Sequence, residues 1–385
     1  MFPYILIFVI TAMLAFLSFD KPKVQPLPFF LYTLALGTFV GVADMLGGYD
    51  RYIYCDVFTS NANLVAAGEG WHNYIFEMYF DKEPVYGYIN TLIGYITPNR
   101  YIFIYIYTML IYIVYSICFY RYTPNPFFAL LVFLGLMFFF TFTYLRQVLA
   151  AGVIWLALPF YTNRRTLPYM AMVVVAALIH NSAAIAGALY FMPLKKWPWK
   201  YVVTMMIILL GIGLIGIGGL FVATGEVVNN ENVSAHAAAA EYGFRYEYVV
   251  EAIVFLFILY KNYNTIKEDK VTISYLNLYL MFCGILLLFC KSSDGGRIAW
   301  YGVMGIIIML TRFCSNWRGV QLRYFLTILF FGLFFRILYF WDIQLYPYKT
   351  FFTDGIRAND PIYEMYEYDE NYKIDKFYNL SYEKH

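Results

Sequence analysis

Long runs of apolar residues, separated by short polar breaks, fill almost the whole chain. The pattern has neither the two-residue period of a half-buried strand nor the narrow stripe of a surface helix. Full-length runs occupy 27–46, 101–120, 201–223, 248–260, 273–290, 298–313 and 324–341, and each predicts a helix that crosses a bilayer. The first run, 2–19, has no basic segment ahead of it and no small-residue cleavage site, so it is expected to stay as an anchor. Two further runs break the pattern. Segment 84–96, closed by Pro98 and Asn99, falls well short of the ~20 residues a crossing needs, and it predicts a short helix that dips in without crossing. Segment 167–192 is long for one span and is interrupted by His180, Asn181 and Ser182, which predicts two short helices meeting at a polar turn.

Composition settles the class. The 385 residues are 62% hydrophobic and 14% charged, with a mean hydropathy of +0.59, more than a soluble core can hide. The expected fold is all-α and polytopic, with short broken or re-entrant helices. It forms one membrane domain over 1–341, with outer loops at 47–83 and 224–247, and an acidic tyrosine-rich tail at 342–385. That tail reads as a solvated segment or as a saccharide-facing surface. The five cysteines are an odd number, form no Cys-x-x-Cys and lie mostly in apolar runs, so they read as packing residues.

The net charge of +2 hides a split that orients the chain and argues against a nucleic-acid partner. With the N-terminus outside and 84–96 returning outward, Lys21, Lys23, Arg121, Arg164, Arg165, Lys195, Lys196, Lys200, Lys261, Lys267, Lys270, Arg312, Arg318 and Arg323 all face the cytoplasm. A full crossing by 84–96 would turn Arg121, Arg164 and Arg165 outward, against the usual bias. In the preferred threading, Asp50, Glu83, Arg146, His180 and Arg297 share the outer side. Charge in hydrocarbon is costly, so such residues mark function.

Each of the five has a structural reading beside a chemical one. Arg146 follows a polar stop at 141–144 and opens a helix beginning with Gln147. A helix start carrying an arginine fork suits a phosphate, whereas a span-end arginine also snorkels to headgroups. Arg297 repeats the arrangement after Lys291, Ser292, Ser293, Asp294, Gly295 and Gly296, a stretch that is also a plain turn. His180 sits among apolar and small residues, as a base, a polar anchor or a bonded core histidine. Glu83 before Pro84 is a good helix start, and with Asp50 it is also a candidate carboxylate pair able to take a proton from a sugar hydroxyl. No Walker loop, dinucleotide fingerprint, His-Glu-x-x-His or Asp-x-Asp is present, and no metal or cofactor is expected.

At these positions the chain resembles the EpsG-like, Wzy-type polymerases of bacterial exopolysaccharide, capsule and O-antigen. The resemblance is carried by Gly48-Tyr49-Asp50 with Tyr54, Glu83-Pro84, Arg146-Gln147 with Ala150, His180-Asn181-Ser182, and Arg297 with Tyr301. It covers roughly 27–313. The family often has an arginine ahead of the aspartate element, where this chain has Val42, Ala43 and Asp44.

The resemblance implies a glycosyltransferase with a fold related to the C-type superfamily, in the bacterial cytoplasmic membrane. Its expected reaction moves a glycan from a polyprenyl-diphosphate carrier onto a hydroxyl of the next carrier-linked repeat unit, outside the membrane and without a metal. Arg146, Arg297 and Lys291 would hold the diphosphate. Tyr54, Gln147, Asp294 and Tyr301 would meet sugar, and His180, Asp50 or Glu83 would handle the acceptor proton. Expected partners are the lipid-linked donor and acceptor, the bilayer, and a chain-length regulator and flippase of the same pathway. The rival functions are a lipid-linked oligosaccharide flippase, and a glycan ligase or monosaccharide transferase.

Overall fold

A computed structural model describes residues 1–19, 24–43, 49–215, 243–292, 295–315, 319–341 and the single positions 345, 348, 350 and 352. Asp294, most of the predicted 224–247 loop and nearly all of the 342–385 tail lie outside the described residues. The chain is an all-α polytopic membrane protein. Helices long and apolar enough to cross a bilayer are Phe2–Phe19, Arg100–Tyr122, Leu145–Thr162, Lys270–Leu288, Gly295–Cys314 and Val320–Phe340. No strand occurs among the described residues.

The chain divides into two compact units. The first comprises 1–156, 174–181 and 314–385, and the second comprises 157–173 and 182–313.

The first unit contains α1 (Phe2–Phe19), α2 (Pro26–Gly41), α3 (Tyr49–Ala66), α4 (Pro84–Ile96), α5 (Arg100–Tyr122), α6 (Pro126–Leu136) and α7 (Leu145–Leu156). Every residue of α6 is buried, as expected of a helix apolar on all sides. Glycines bring the axes close. A Cβ on Gly37 of α2 would lie 2.9 Å from Tyr112 of α5, and one on Gly94 of α4 would lie 3.3 Å from the Ala62 backbone of α3. The α3–α4 pair is also tied by a buried amide relay, in which Asn73 donates to Asn61 at 2.9 Å and Asn61 donates to Thr91 at 3.1 Å. Buried polar groups so satisfied fix register.

Two predictions are refined here. The 47–83 segment is largely helical, carrying α3 and a π-helical turn at Phe76–Phe80. Its mixture of tyrosines with polar residues hides the helix from a hydropathy reading. The 27–46 and 248–260 runs form helices of 16 residues (α2) and 17 residues (Tyr246–Asn262). Helix α4 has the predicted bounds and 13 residues, about 20 Å of rise against a hydrocarbon core of about 30 Å.

The second unit holds α8 (Leu158–Thr162), the start of α9 (Thr166–Ile179), a 3₁₀ helix at Asn181–Phe191, α10 (Trp199–Ile215), α11 (Tyr246–Asn262), α12 (Lys270–Leu288), α13 (Gly295–Ala299) and α14 (Val303–Cys314). In the first unit, α15 (Val320–Phe340) completes the set. Helix α12 is buried along nearly its whole length. Its Asn277 donates to the Tyr161 hydroxyl at 2.6 Å and to the Pro193 carbonyl at 3.1 Å.

The predicted break in 167–192 occurs at His180, between α9 and the 3₁₀ helix. Eleven residues of 3₁₀ helix is long for that geometry, and two side chains brace it. The Tyr169 hydroxyl donates to the Ala186 carbonyl at 2.7 Å. Arg164 donates to the carbonyls of Tyr190 and Met192, where a cation complements the helix C-terminal end. All five cysteines are buried.

Candidate active site

The first unit brings three of the sequence candidates together, with Arg146 and His180 on the carboxylate of Glu83. Glu83 precedes α4 with non-helical backbone (φ −133°, ψ 56°), and Pro84 occupies the first helical position. Its carbonyl accepts from the Gly87 N–H at 3.2 Å, the first bond of the helix, while its side chain makes no capping bond. The carboxylate is therefore turned away from its own helix and is free for tertiary partners. Gly87 permits this placement: a Cβ there would lie 2.6 Å from the Phe80 Cβ of the π-helical turn. Such turns recur at functional sites.

Three donors converge on that carboxylate. Arg146 Nη1 lies 2.5 Å from Glu83 Oε2, His180 Nδ1 lies 2.8 Å from Oε1, and the Asn181 N–H donates to Oε1 at 3.0 Å. Arg146 is the second residue of α7, which is held on α5 by Gly152, whose Cβ would meet Val114 at 2.8 Å, and by the Tyr115 hydroxyl donating to the Val148 carbonyl at 2.8 Å. The break after α9 leaves the Asn181 N–H without an intrahelical acceptor, so it is available to Glu83. Glu83 is 8% exposed at its side chain, Arg146 31% and His180 26%. The carboxylate is thus the buried hub, and its two partners reach toward the surface.

Aromatic rings fix the arginine. Its guanidinium carbon lies 5.2 Å from the Tyr54 ring centroid and 5.4 Å from that of Tyr86, both rings being buried. The Tyr54 hydroxyl also hydrogen-bonds Arg146, so Tyr54 helps to hold the guanidinium. Arg146 Nε is buried with no acceptor among the described residues, an unmet donor of the kind an anion satisfies. Asp50, one turn before Tyr54 on α3, is near enough for its charge to act on the Tyr54 hydroxyl.

Burial by itself pushes the Glu83 carboxyl up. The hydrogen bond from His180, the charges of Arg146 and His180, and the Asn181 N–H outweigh it, and the net direction is down from the ordinary value of 4.5. A depressed carboxyl stabilises the folded state above its unfolded pKa, and that contribution disappears as pH falls through the folded value. Thermal melts in detergent are therefore expected to show an acid-side loss of stability below pH 4.5 that is smaller in Glu83→Gln. Parallel acid limbs in the two proteins would contradict this.

Gln147 follows Arg146 and is buried. Lys291, Arg297 and Tyr301 belong to the second unit. Arg297 lies in the short helix α13, and Tyr301 is fully buried with its hydroxyl 2.8 Å from Ser182 Oγ. Asp294 lies outside the described residues. Tyr86 was not anticipated, although its place three residues after Glu83 puts it within one turn of the carboxylate. Arg51 was also missed. It is fully buried and donates to the Val40 carbonyl at 3.0 Å near the end of α2, a structural role. Among the described residues no three His, Cys, Asp or Glu side chains come together as a metal site.

A buried carboxylate holding an arginine and a histidine, in a chain with helices long and apolar enough to span a bilayer, defines a polytopic membrane protein with an ionisable cluster of the kind that marks a functional site. The chain belongs to the EpsG family, whose model matches residues 24–350 and so includes every residue of this centre. No curated protein and no solved structure matches it.

Proposed function

We propose that this protein is a glycosyltransferase that joins polyprenyl-diphosphate-linked oligosaccharide repeat units into a surface polysaccharide. The reaction takes place on the outer side of the bacterial cytoplasmic membrane. The observation that carries the reading is the Glu83-centred cluster, in which a rigid arginine fork and a histidine stand side by side at two helix ends. Membership in a polysaccharide-polymerase family supports it.

In this mechanism Arg146 holds the diphosphate of the donor and stabilises charge on the leaving group as the glycosidic bond breaks. An arginine does this with a planar fork of N–H groups, only one of which is committed to Glu83. The carrier's long tail stays in the bilayer. The outward placement rests on the distribution of lysine and arginine among the loops. Arg297 of the second unit is proposed as a diphosphate-binding residue on its sequence position alone.

The decisive assay uses purified protein and synthetic lipid-linked repeat units. Products of two or more units are expected, and their yield is expected to be unchanged by EDTA, because the arginine supplies the charge stabilisation. Absence of coupling, or abolition by EDTA, would remove the metal-independent polymerase reading. A flippase is separated genetically. Cells lacking a polymerase still display single repeat units outside, whereas cells lacking a flippase display none.

A further inference from the structure

The polymerase reading leaves open which group takes the proton from the attacking hydroxyl, and the geometry around Glu83 bears on this directly. A carboxylate that serves as a base needs an oxygen lone pair facing the substrate. Glu83 has Arg146 on one oxygen, and His180 and the Asn181 N–H on the other. It is also the most buried of the three side chains. Held ionised by these donors, it has only acceptor character. The His180 nitrogen facing it must then carry a hydrogen, since two acceptors cannot be held at 2.8 Å by a hydrogen bond. In a neutral ring this leaves the lone pair on Nε2. No hydrogen bond to Nε2 occurs among the described residues, and the side chain is 26% exposed.

We infer that Glu83 is a positioning residue, which locks His180 in the Nδ1–H tautomer so that Nε2 accepts the acceptor-hydroxyl proton, and which couples that base to the diphosphate arginine. This rests on the polymerase reading. In the step, the acceptor oxygen bonds to the anomeric carbon of the donor sugar. The bond from that carbon to the diphosphate oxygen breaks, with its electron pair leaving on the lipid diphosphate. The hydroxyl proton passes to Nε2, and the resulting imidazolium is stabilised by the Glu83 carboxylate. The proton then leaves to solvent. One carboxylate thereby orients both the group that removes a proton and the group that receives negative charge, and Asp50 is left outside the proton transfer.

Two measurements test this. The first is a double-mutant cycle on coupling of lipid-linked repeat units by Glu83→Gln, His180→Gln and the double variant. The inference expects Glu83→Gln to lower kcat by on the order of 10³–10⁴-fold, as loss of an orienting carboxylate does in other bases of this kind. KM should change little, and the double variant should be no slower than His180→Gln alone, because Glu83 acts through the histidine. A Glu83→Gln enzyme with normal kcat and raised KM, or effects that multiply in the double variant, would overturn it.

The second measurement is the ¹⁵N spectrum of histidine-labelled wild-type protein, with His180 assigned through His180→Gln. A protonated Nδ1 and an unprotonated Nε2 are expected, and the opposite tautomer would overturn the inference. The spectrum needs neither substrate nor the Glu83 variant. If wild-type protein joins no repeat units, the polymerase reading fails, and the spectrum still decides the arrangement of Glu83 and His180.

Discussion

Arg146→Lys is expected to lose polymer formation almost as completely as Arg146→Ala, with turnover down by on the order of 10²–10³-fold. The reason is geometric. In the native site one edge of the guanidinium meets Glu83 Oε2 while its face rests near Tyr54 and Tyr86. Nε, which is buried without an acceptor among the described residues, is left for a phosphate oxygen. An ammonium is a point charge with no plane to lodge against those rings, and it cannot serve a carboxylate and a diphosphate in fixed directions. Alanine has a second effect. It strips the Glu83 carboxylate of its cation and leaves a buried charge with two neutral donors, at a cost of about 3–5 kcal/mol. Lysine is therefore the cleaner variant, and single-turnover coupling by protein that elutes and melts like wild type is the measurement to use. Product of wild-type length and rate from Arg146→Lys would refute the assignment of the diphosphate to this arginine.

The second large effect concerns folding of the second unit. Gly305→Leu is expected to yield no monodisperse protein, and Gly305→Ala to melt several degrees below wild type. A Cβ at 305 would lie 2.3 Å from the Tyr279 nitrogen and 2.6 Å from the Leu278 carbonyl carbon. Three residues earlier, a Cβ on Gly302 would lie 2.9 Å from both the Leu278 oxygen and the Phe282 nitrogen. These neighbours are backbone, so no side chain can rotate away. The α14 segment would have to move off α12, and overpacking of this kind costs about 1–3 kcal/mol for a single methyl. Gly332 on α15 has nothing within 4 Å of its Cβ position, which makes Gly332→Ala the control that should melt like wild type. Equal melting of Gly305→Ala and Gly332→Ala, read by fluorescence-detected size exclusion after heating, would show that α12 and α14 do not cross this closely.

Much of the helical architecture was legible because the relevant physics is local. Pro84 and Pro98 bracket α4, and proline both starts a helix well and stops its neighbour. The break at His180 follows from three polar residues in an apolar run. The apolar runs around the cysteines point to packing residues, and all five are buried. Helix α3 was not legible, because a mixture of Tyr, Asp, Arg and Asn looks like a loop to hydropathy. Its tertiary partners, the Gly94 contact and the Asn61–Thr91 bond, are far away in the chain.

The candidate site divides along the same line. From sequence, Glu83, Arg146 and His180 were separate suspects, each with a structural alternative of its own. The sequence by itself determined that the chain is a helical membrane protein, where its helices break, and which ionisable residues stand at those breaks. Hydropathy, proline and charge act within a few residues, and they leave a mark that can be read in order. Only the tertiary structure decided that one carboxylate takes both other residues as partners, and that Tyr54 braces the arginine. Those contacts join positions 63 and 97 residues apart, and they depend on glycines and buried amides that bring the helices together. Their geometry is a property of packing, and no local pattern encodes it.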